Sequence, residues 1–266
     1  MAIYADGEHL GHVSSGCIEA DIVAQSVNAK TPLVTRYGKG SKFKDLILPC
    51  GGGMDILILP NPDMTVLALA NKKLNQRIPV VLLLNITTGE IQLSDSSDTV
   101  IDGDFFHLNM KPAQKFFVFG NGQEAISFAD LVAGAGHPIE LFSTDKKMLR
   151  QCAVHPDNTH NLVVPEIPNP DQIDQWSSIV LFFHEHDLEN QILRDALTTP
   201  AFYIGAQGSF TAQMSRLETL RNAGETEESL ARIKGPIGLI PKVRDPQTLA
   251  ISVLAEIHKT ALAKLE

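Results

Sequence analysis

The chain has 266 residues, 44% of them apolar, with a formal net charge of −9 and an isoelectric point near 5.5. That length predicts two domains, and the acidic balance excludes the clustered basic surface on which a nucleic-acid backbone or an anionic membrane would dock. The longest apolar stretch, residues 80–84, falls far short of a bilayer span, the N-terminus lacks the basic and apolar regions of a signal peptide, and 3 cysteines without a CxxC pair indicate neither a disulfide framework nor a structural zinc site, so a cytoplasmic protein with reduced thiols is expected.

Residues 1–5 read as a strand leading into an Asp6-Gly7 turn, with 9–13 as the hairpin partner. A helix follows, its apolar Ile18, Ile22, Val23 and Val27 expected on one face and Ser14 or Ser15 where a cap belongs. Strands are expected over 33–36 and 55–59, the second ended by Pro60-Asn61-Pro62, and over 80–84 and 90–93, a hairpin about Thr87-Thr88-Gly89. Residues 1–110 are thus an N-terminal α+β domain. Two of its segments set a lone cysteine beside glycine: Gly16-Cys17-Ile18-Glu19 and Cys50-Gly51-Gly52, the latter just before Asp55. Glycine removes side-chain bulk where the thiol sits, so backbone N–H groups and sulfur can approach a ligand together. Cys17 stands at the expected helix start, where the dipole favours a thiolate. The plainer alternative is two small buried hydrophobes beside tight turns. Cys152, with no glycine next to it, is read as inert.

From residue 111 to 266 strands and helices alternate, the pattern of a Rossmann-like domain with a parallel sheet, so the fold class is α/β. Residues 116–119 form a buried strand entering Gly120-Asn121-Gly122-Gln123-Glu124-Ala125, a G-x-G-x-x-A match followed by a helix to about residue 133. Such glycines let a phosphate approach the backbone and the helix N-terminus, and a nucleotide is the ligand they suggest. The acidic residue that would bind a ribose about 20 positions later has no clear counterpart, Asp145 lying one step past the next strand, 139–142. Residues 179–183 and 201–204 are further strands, with a helix over 188–197 between them and Ser209 capping a helix to residue 221. A last helix begins after Asp245-Pro246 and carries Leu249, Val253, Leu254, Ile257 and Ala261 on one side. Loops at Gly120 and Gly122, at His184-Glu185-His186 and from Gly205 through Gly208 to Ser209 are expected to line one crevice at the carboxyl ends of the strands. The His184-x-His186 pair suits a metal only with a third ligand and reads more simply as crevice polarity.

Four segments taken in order make the chain similar to the xanthine dehydrogenase accessory factors of the XdhC/CoxI type. They are Gly11-His12-Val13-Ser14-Ser15-Gly16-Cys17-Ile18-Glu19, then Leu48-Pro49-Cys50-Gly51-Gly52, then Tyr203-Ile204-Gly205-Ala206-Gln207-Gly208-Ser209. The last is Pro236-Ile237-Gly238-Leu239 followed by Ile251-Ser252-Val253-Leu254-Ala255-Glu256-Ile257. The resemblance implies a non-catalytic, homodimeric chaperone that holds the molybdenum cofactor, molybdopterin, while a cysteine desulfurase supplies its sulfido ligand. It would then deliver the cofactor to an apo molybdenum hydroxylase. It further implies that Cys17 and Cys50 share one pocket and ligate or flank the metal, since soft sulfur suits molybdenum, with Glu19 and Asp55 orienting their surroundings. The chain departs from the family in places. Ser15 stands where glycine is usual, Phe210-Thr211 replaces paired arginines, which removes charge-assisted bonds to a phosphate, and Phe183-His184-Glu185 lacks a hydroxyl. Two other readings compete: an NAD(P)-dependent Rossmann oxidoreductase, suggested by G-x-G-x-x-A, and a scaffold that kept the fold and lost the cofactor.

Overall fold

The computed structural model describes residues 1–14, 16, 18–43, 48, 51–94, 100–184 and 188–265, and the chain forms two units, Met1–Pro112 and Ala113–Glu266. In the first unit β1 (Ala2–Ile3) and β2 (His9–Leu10) pair antiparallel. The second strand is shorter than the 9–13 expected, because Gly11 takes a φ of +80° and turns the chain out of the ladder. Helix α1 (Glu19–Asn28) packs beside β3 (Leu33–Gly38) and β4 (Gly53–Ile58), which are antiparallel. Ile18 and Ile22 are buried with Tyr37, Leu48 and Ile58, whereas Val27 is exposed. The expected common face fails at Val27 for a geometric reason: nine residues past Ile18 is about two and a half helical turns, which puts it on the opposite side.

Four strands complete this unit after α2 (Met64–Asn75), whose N-cap Asp63 accepts from the amides of Thr65 and Val66. They are β5 (Val80–Asn85), β6 (Ile91–Ser94), β7 (Val100–Asp102) and β8 (Phe105–Met110), all antiparallel in the order β6-β5-β8-β7. Ala70 of α2 joins Val80, Leu82, Leu84 and Ile91 in a small core. Sequence periodicity shows β5 and β6 but not β8, whose side chains are all only partly buried and so lack a clean alternation.

The second unit is a six-stranded, all-parallel sheet. Its strands are β9 (Lys115–Gly120), β10 (Ile139–Ser143), β11 (Thr159–Asn161), β12 (Ser177–Phe182), β13 (Tyr203–Ala206) and β14 (Ile233–Lys234), in the order β11-β10-β9-β12-β13-β14. The sequence order reverses between β9 and β12, the switch point at which doubly wound folds place ligands. Helices α3 (Gly122–Gly134), α4 (Lys146–Leu149), α5 (Glu189–Thr198), α6 (Phe210–Asn222), α7 (Glu227–Leu230) and α8 (Pro246–Leu265) complete the unit. Alternate residues of β9 serve two cores: Phe116 and Val118 pack with α3 and α8, Phe117 and Phe119 with α5. Burial on both faces is why the strand reads as an unbroken apolar run, and each such side chain contributes about 1.5–3 kcal/mol.

Candidate functional site

Cys17 and Cys50, together with Ser15, Glu185 and His186, lie outside the described residues. Glu19, two residues after the first cysteine in sequence, bonds to several of its described neighbours. Its carboxylate turns back from the first turn of α1 and accepts from the amides of Val13 (3.2 Å), Ser14 (2.6 Å) and Ile18 (3.3 Å) and from the Ser14 hydroxyl (2.7 Å). Ser14 therefore donates to Glu19 rather than capping the helix, whose N-cap residue is Ile18. The Ser14 hydroxyl, aided by these amides against the cost of burial, holds the Glu19 carboxyl at about 2. Glu19 thus ties Val13 and Ser14 to Ile18, and Gly16 takes a φ of +96°. Sequence reading gave no sign of a second fastening: Tyr37, fully buried, donates to Asp21 (2.6 Å) and accepts from Gln25 (2.9 Å), which in turn accepts from Thr35. These bonds tie α1 to β3, and burial pushes the Tyr37 hydroxyl pKa up.

At the second cysteine position, Gly51 has a φ of +69° and donates to the Leu48 carbonyl, while the Gly52 carbonyl accepts from the Lys39 amide and extends the β3-β4 pairing. Both glycines therefore have backbone duties. Asp55 is half exposed and 2.6 Å from Arg36, its register partner, so its observed role is a surface ion pair worth little on its own.

In the second unit, the G-x-G-x-x-A loop joins β9 to α3. A side chain at Gly120 would sit 2.7 Å from the Phe182 carbonyl oxygen, so this glycine is needed for the close approach of β9 and β12. Gly122 opens α3 at a φ of +80°. Asn121 spans to the end of β10: its Oδ1 accepts from the Ser143 hydroxyl (2.7 Å) and the Thr144 amide (3.2 Å). Asp145 accepts from the amides of Lys147 and Met148, capping α4, so the carboxylate nearest the ribose position is occupied in a helix cap. His184 is mostly exposed, its Nε2 3.6 Å from Glu124 Oε2 on α3. Among the described residues no group of three or more His, Cys, Asp or Glu side chains could hold a metal ion.

The loop after β13 is held from beneath. Arg216 on α6 and Glu189 at the start of α5 are both almost wholly buried and 2.9 Å apart, and Arg216 also donates to the Gln207 carbonyl (2.8 Å) and to Gln213 Oε1 (2.6 Å). This pair lies 27 residues apart in the chain, with no local spacing to reveal it. Gly205 leaves room for Tyr203 and Ile237, Gly208 takes a φ of +148°, and Ser209 caps α6 by accepting from the Ala212 amide (3.1 Å). The last two motif segments meet each other: the Gly238 amide donates to Glu256, the Ile240 amide to the Ser252 hydroxyl (2.7 Å), and a side chain at Gly238 would strike Ser252. Their residue identities are thus accounted for by packing of the 236–240 turn on α8.

Residues 116–257, just over half of the chain, match the model of the XdhC Rossmann domain. The chain belongs to the XdhC family. Over 270 aligned positions it is 29% identical to the molybdenum cofactor insertion chaperone PaoD of Escherichia coli (strain K12), covering 100% of this chain and 79% of that protein. It is also 23% identical over 261 residues to the uncharacterized protein YqeB of the same organism, covering 97% of this chain and 39% of YqeB. A crystal structure of a xanthine dehydrogenase from Bacillus halodurans superimposes with a TM-score of 0.74 at 17% identity, covering 98% of this chain and 85% of the other, a likeness of fold. Among the described residues no helix is long and apolar enough to cross a membrane.

Proposed function

We propose that the chain is a maturation chaperone that holds the molybdenum cofactor as cargo, keeps it during sulfuration by a cysteine desulfurase, and passes it to an apo molybdenum hydroxylase in the cytoplasm. The observation that carries this reading is the similarity, over the whole of this chain and 79% of the relative, to a molybdenum cofactor insertion chaperone, joined to membership of the XdhC family. In this reading Cys17 and Cys50 supply soft sulfur to the cargo, Gly16, Gly51 and Gly52 keep the approach to them open, and Glu19, which fastens Val13 and Ser14, belongs to the same cofactor-binding segment. Asp55 acts through its ion pair with Arg36. The glycine loops of the second unit, at Gly120, Gly122, Gly205, Gly208 and Ser209, with His184 at their edge, are proposed by themselves as cofactor-binding positions suited to a phosphate group. The functional unit is a homodimer. Among the described residues no acid-base set emerges at these loops, and Asp145 is engaged as a helix cap, which favours an insertion role over hydride transfer.

The reading is tested by co-expressing an XDH-type hydroxylase in a host whose own XdhC-type chaperones are deleted. Hydroxylase activity and sulfurated-cofactor content should be low without the chain and restored with it. Equal activity in both strains, with the chain soluble and abundant, would reject the proposal.

A further inference from the structure

The segment that follows β14 spends its backbone amides on α8 and turns its side chains outward. The Gly238 amide donates to Glu256, the Leu239 amide to the Ser252 carbonyl (3.3 Å) and the Ile240 amide to the Ser252 hydroxyl (2.7 Å). Ile237 is buried, whereas Leu239 and Ile240 are exposed, and Ile251, the residue before Ser252, is 58% exposed. Three branched apolar side chains thus share one open corner of the second unit. The corner adjoins the loop after β13, since a side chain at Gly205 would sit 2.8 Å from Ile237. From that loop α6 sets off with Phe210, 70% exposed, and Met214 one turn on, while its Gln213 donates to the Ile233 carbonyl and holds the helix against the same segment. Scattered apolar residues on a surface are ordinary, but a cluster beside a crevice marks an interaction surface.

The charges bordering the corner are positive and unspent. Lys242 and Arg244 are both exposed, and neither has an ion pair among the described residues. The carboxylates beside them are in use, Asp245 accepting from the Thr248 amide at the start of α8 and Glu256 from Gly238. On a chain of net charge −9 this is an apolar patch with a locally basic margin.

We propose that this corner is where an apo molybdenum hydroxylase docks, through an apolar patch of its own bordered by carboxylates. The proposal rests on the chaperone reading and adds to it the surface on which cargo would change hands, beside the loop 205–209. Charge selects this occupant. A second copy related by a two-fold axis would set Lys242 and Arg244 against their own counterparts, and like charges across an interface repel. A membrane presents an extended anionic plane to the whole acidic chain, whereas a protein partner touches only the corner, and screening over about 8 Å confines that encounter to the local charge.

Bio-layer interferometry of the full chain against immobilised, purified apo XDH-type hydroxylase tests this. The wild type should bind, associating faster at low salt than at high. Leu239→Ala, Ile251→Ala removes two exposed apolar contacts and should lower affinity about tenfold or more at unchanged melting temperature. Lys242→Glu, Arg244→Glu should slow association and flatten its salt dependence. Both variants should keep the wild-type content of molybdenum cofactor, which separates docking from holding. Wild-type binding with both variants within about twofold of it would overturn the proposal. So would variants that change only self-association in sedimentation, or only binding to vesicles of phosphatidylserine and phosphatidylcholine. A wild type that neither binds nor activates the hydroxylase would instead reject the chaperone reading, and this surface with it.

Discussion

Replacing Arg216 by methionine should reveal how strongly the loop after β13 depends on a buried ion pair. Arg216 and Glu189 side chains are 1% and 0% exposed, so Arg216→Met takes the ion-pair partner from a carboxylate with almost no access to water and removes the donor to the Gln207 carbonyl. Breaking such a pair from one side costs about 3–5 kcal/mol, whereas replacing both partners by apolar groups of similar volume is often neutral or better. At roughly 2–4 °C per kcal/mol for a chain of this size, the single variant should lose about 6–20 °C in melting temperature. The double variant Glu189→Leu, Arg216→Met should recover most of it. Urea denaturation followed by circular dichroism measures both, and the double-mutant cycle isolates the coupling. A single variant within about 1 kcal/mol of wild type, or a double variant less stable than the single, would refute the view that this pair anchors the loop.

Other consequences follow from single contacts. Glu19, near 2 in the folded chain against an ordinary 4.5, adds stability that is present above about pH 4.5 and lost as pH falls toward 2. Glu19→Gln should therefore melt below wild type at pH 7, with the gap closing between pH 4.5 and 2; a gap independent of pH in calorimetric scans would contradict this role of Glu19. Gly120→Ala forces a methyl group against the Phe182 carbonyl, and overpacking of this kind costs about 1–3 kcal/mol, read as a lower denaturation midpoint. An unchanged midpoint would show that β9 and β12 can part at no cost.

The parallel sheet was legible because β9 and β12 are buried on both faces, so their apolar runs carry their own signature, with glycine and helix signals following each strand. Strands β11 and β14 were not legible, being two or three residues long and lacking any period. The glycine motifs could be found in the sequence, but not their division of labour. Gly120 and Gly238 answer to a neighbouring strand and helix, and Gly51 to a turn, so motif glycines here speak for backbone geometry at least as much as for ligand approach. The Glu189–Arg216 pair, the Tyr37 fastening and the stacked rings of Phe119, Phe142 and His160 join residues remote in the chain, and only the tertiary fold brings them together.

The central claim, that this chain holds the molybdenum cofactor through its two Cys-Gly segments, is tested by the pterin and molybdenum content of freshly purified protein. The wild type and a Cys17→Ala, Cys50→Ala variant are compared after oxidation of the pterin to its fluorescent product and elemental analysis of the metal. The account predicts both components in the wild type and their loss from the variant at unchanged fold. Equal content in the two proteins, or none in the wild type from a cofactor-producing host, would contradict it.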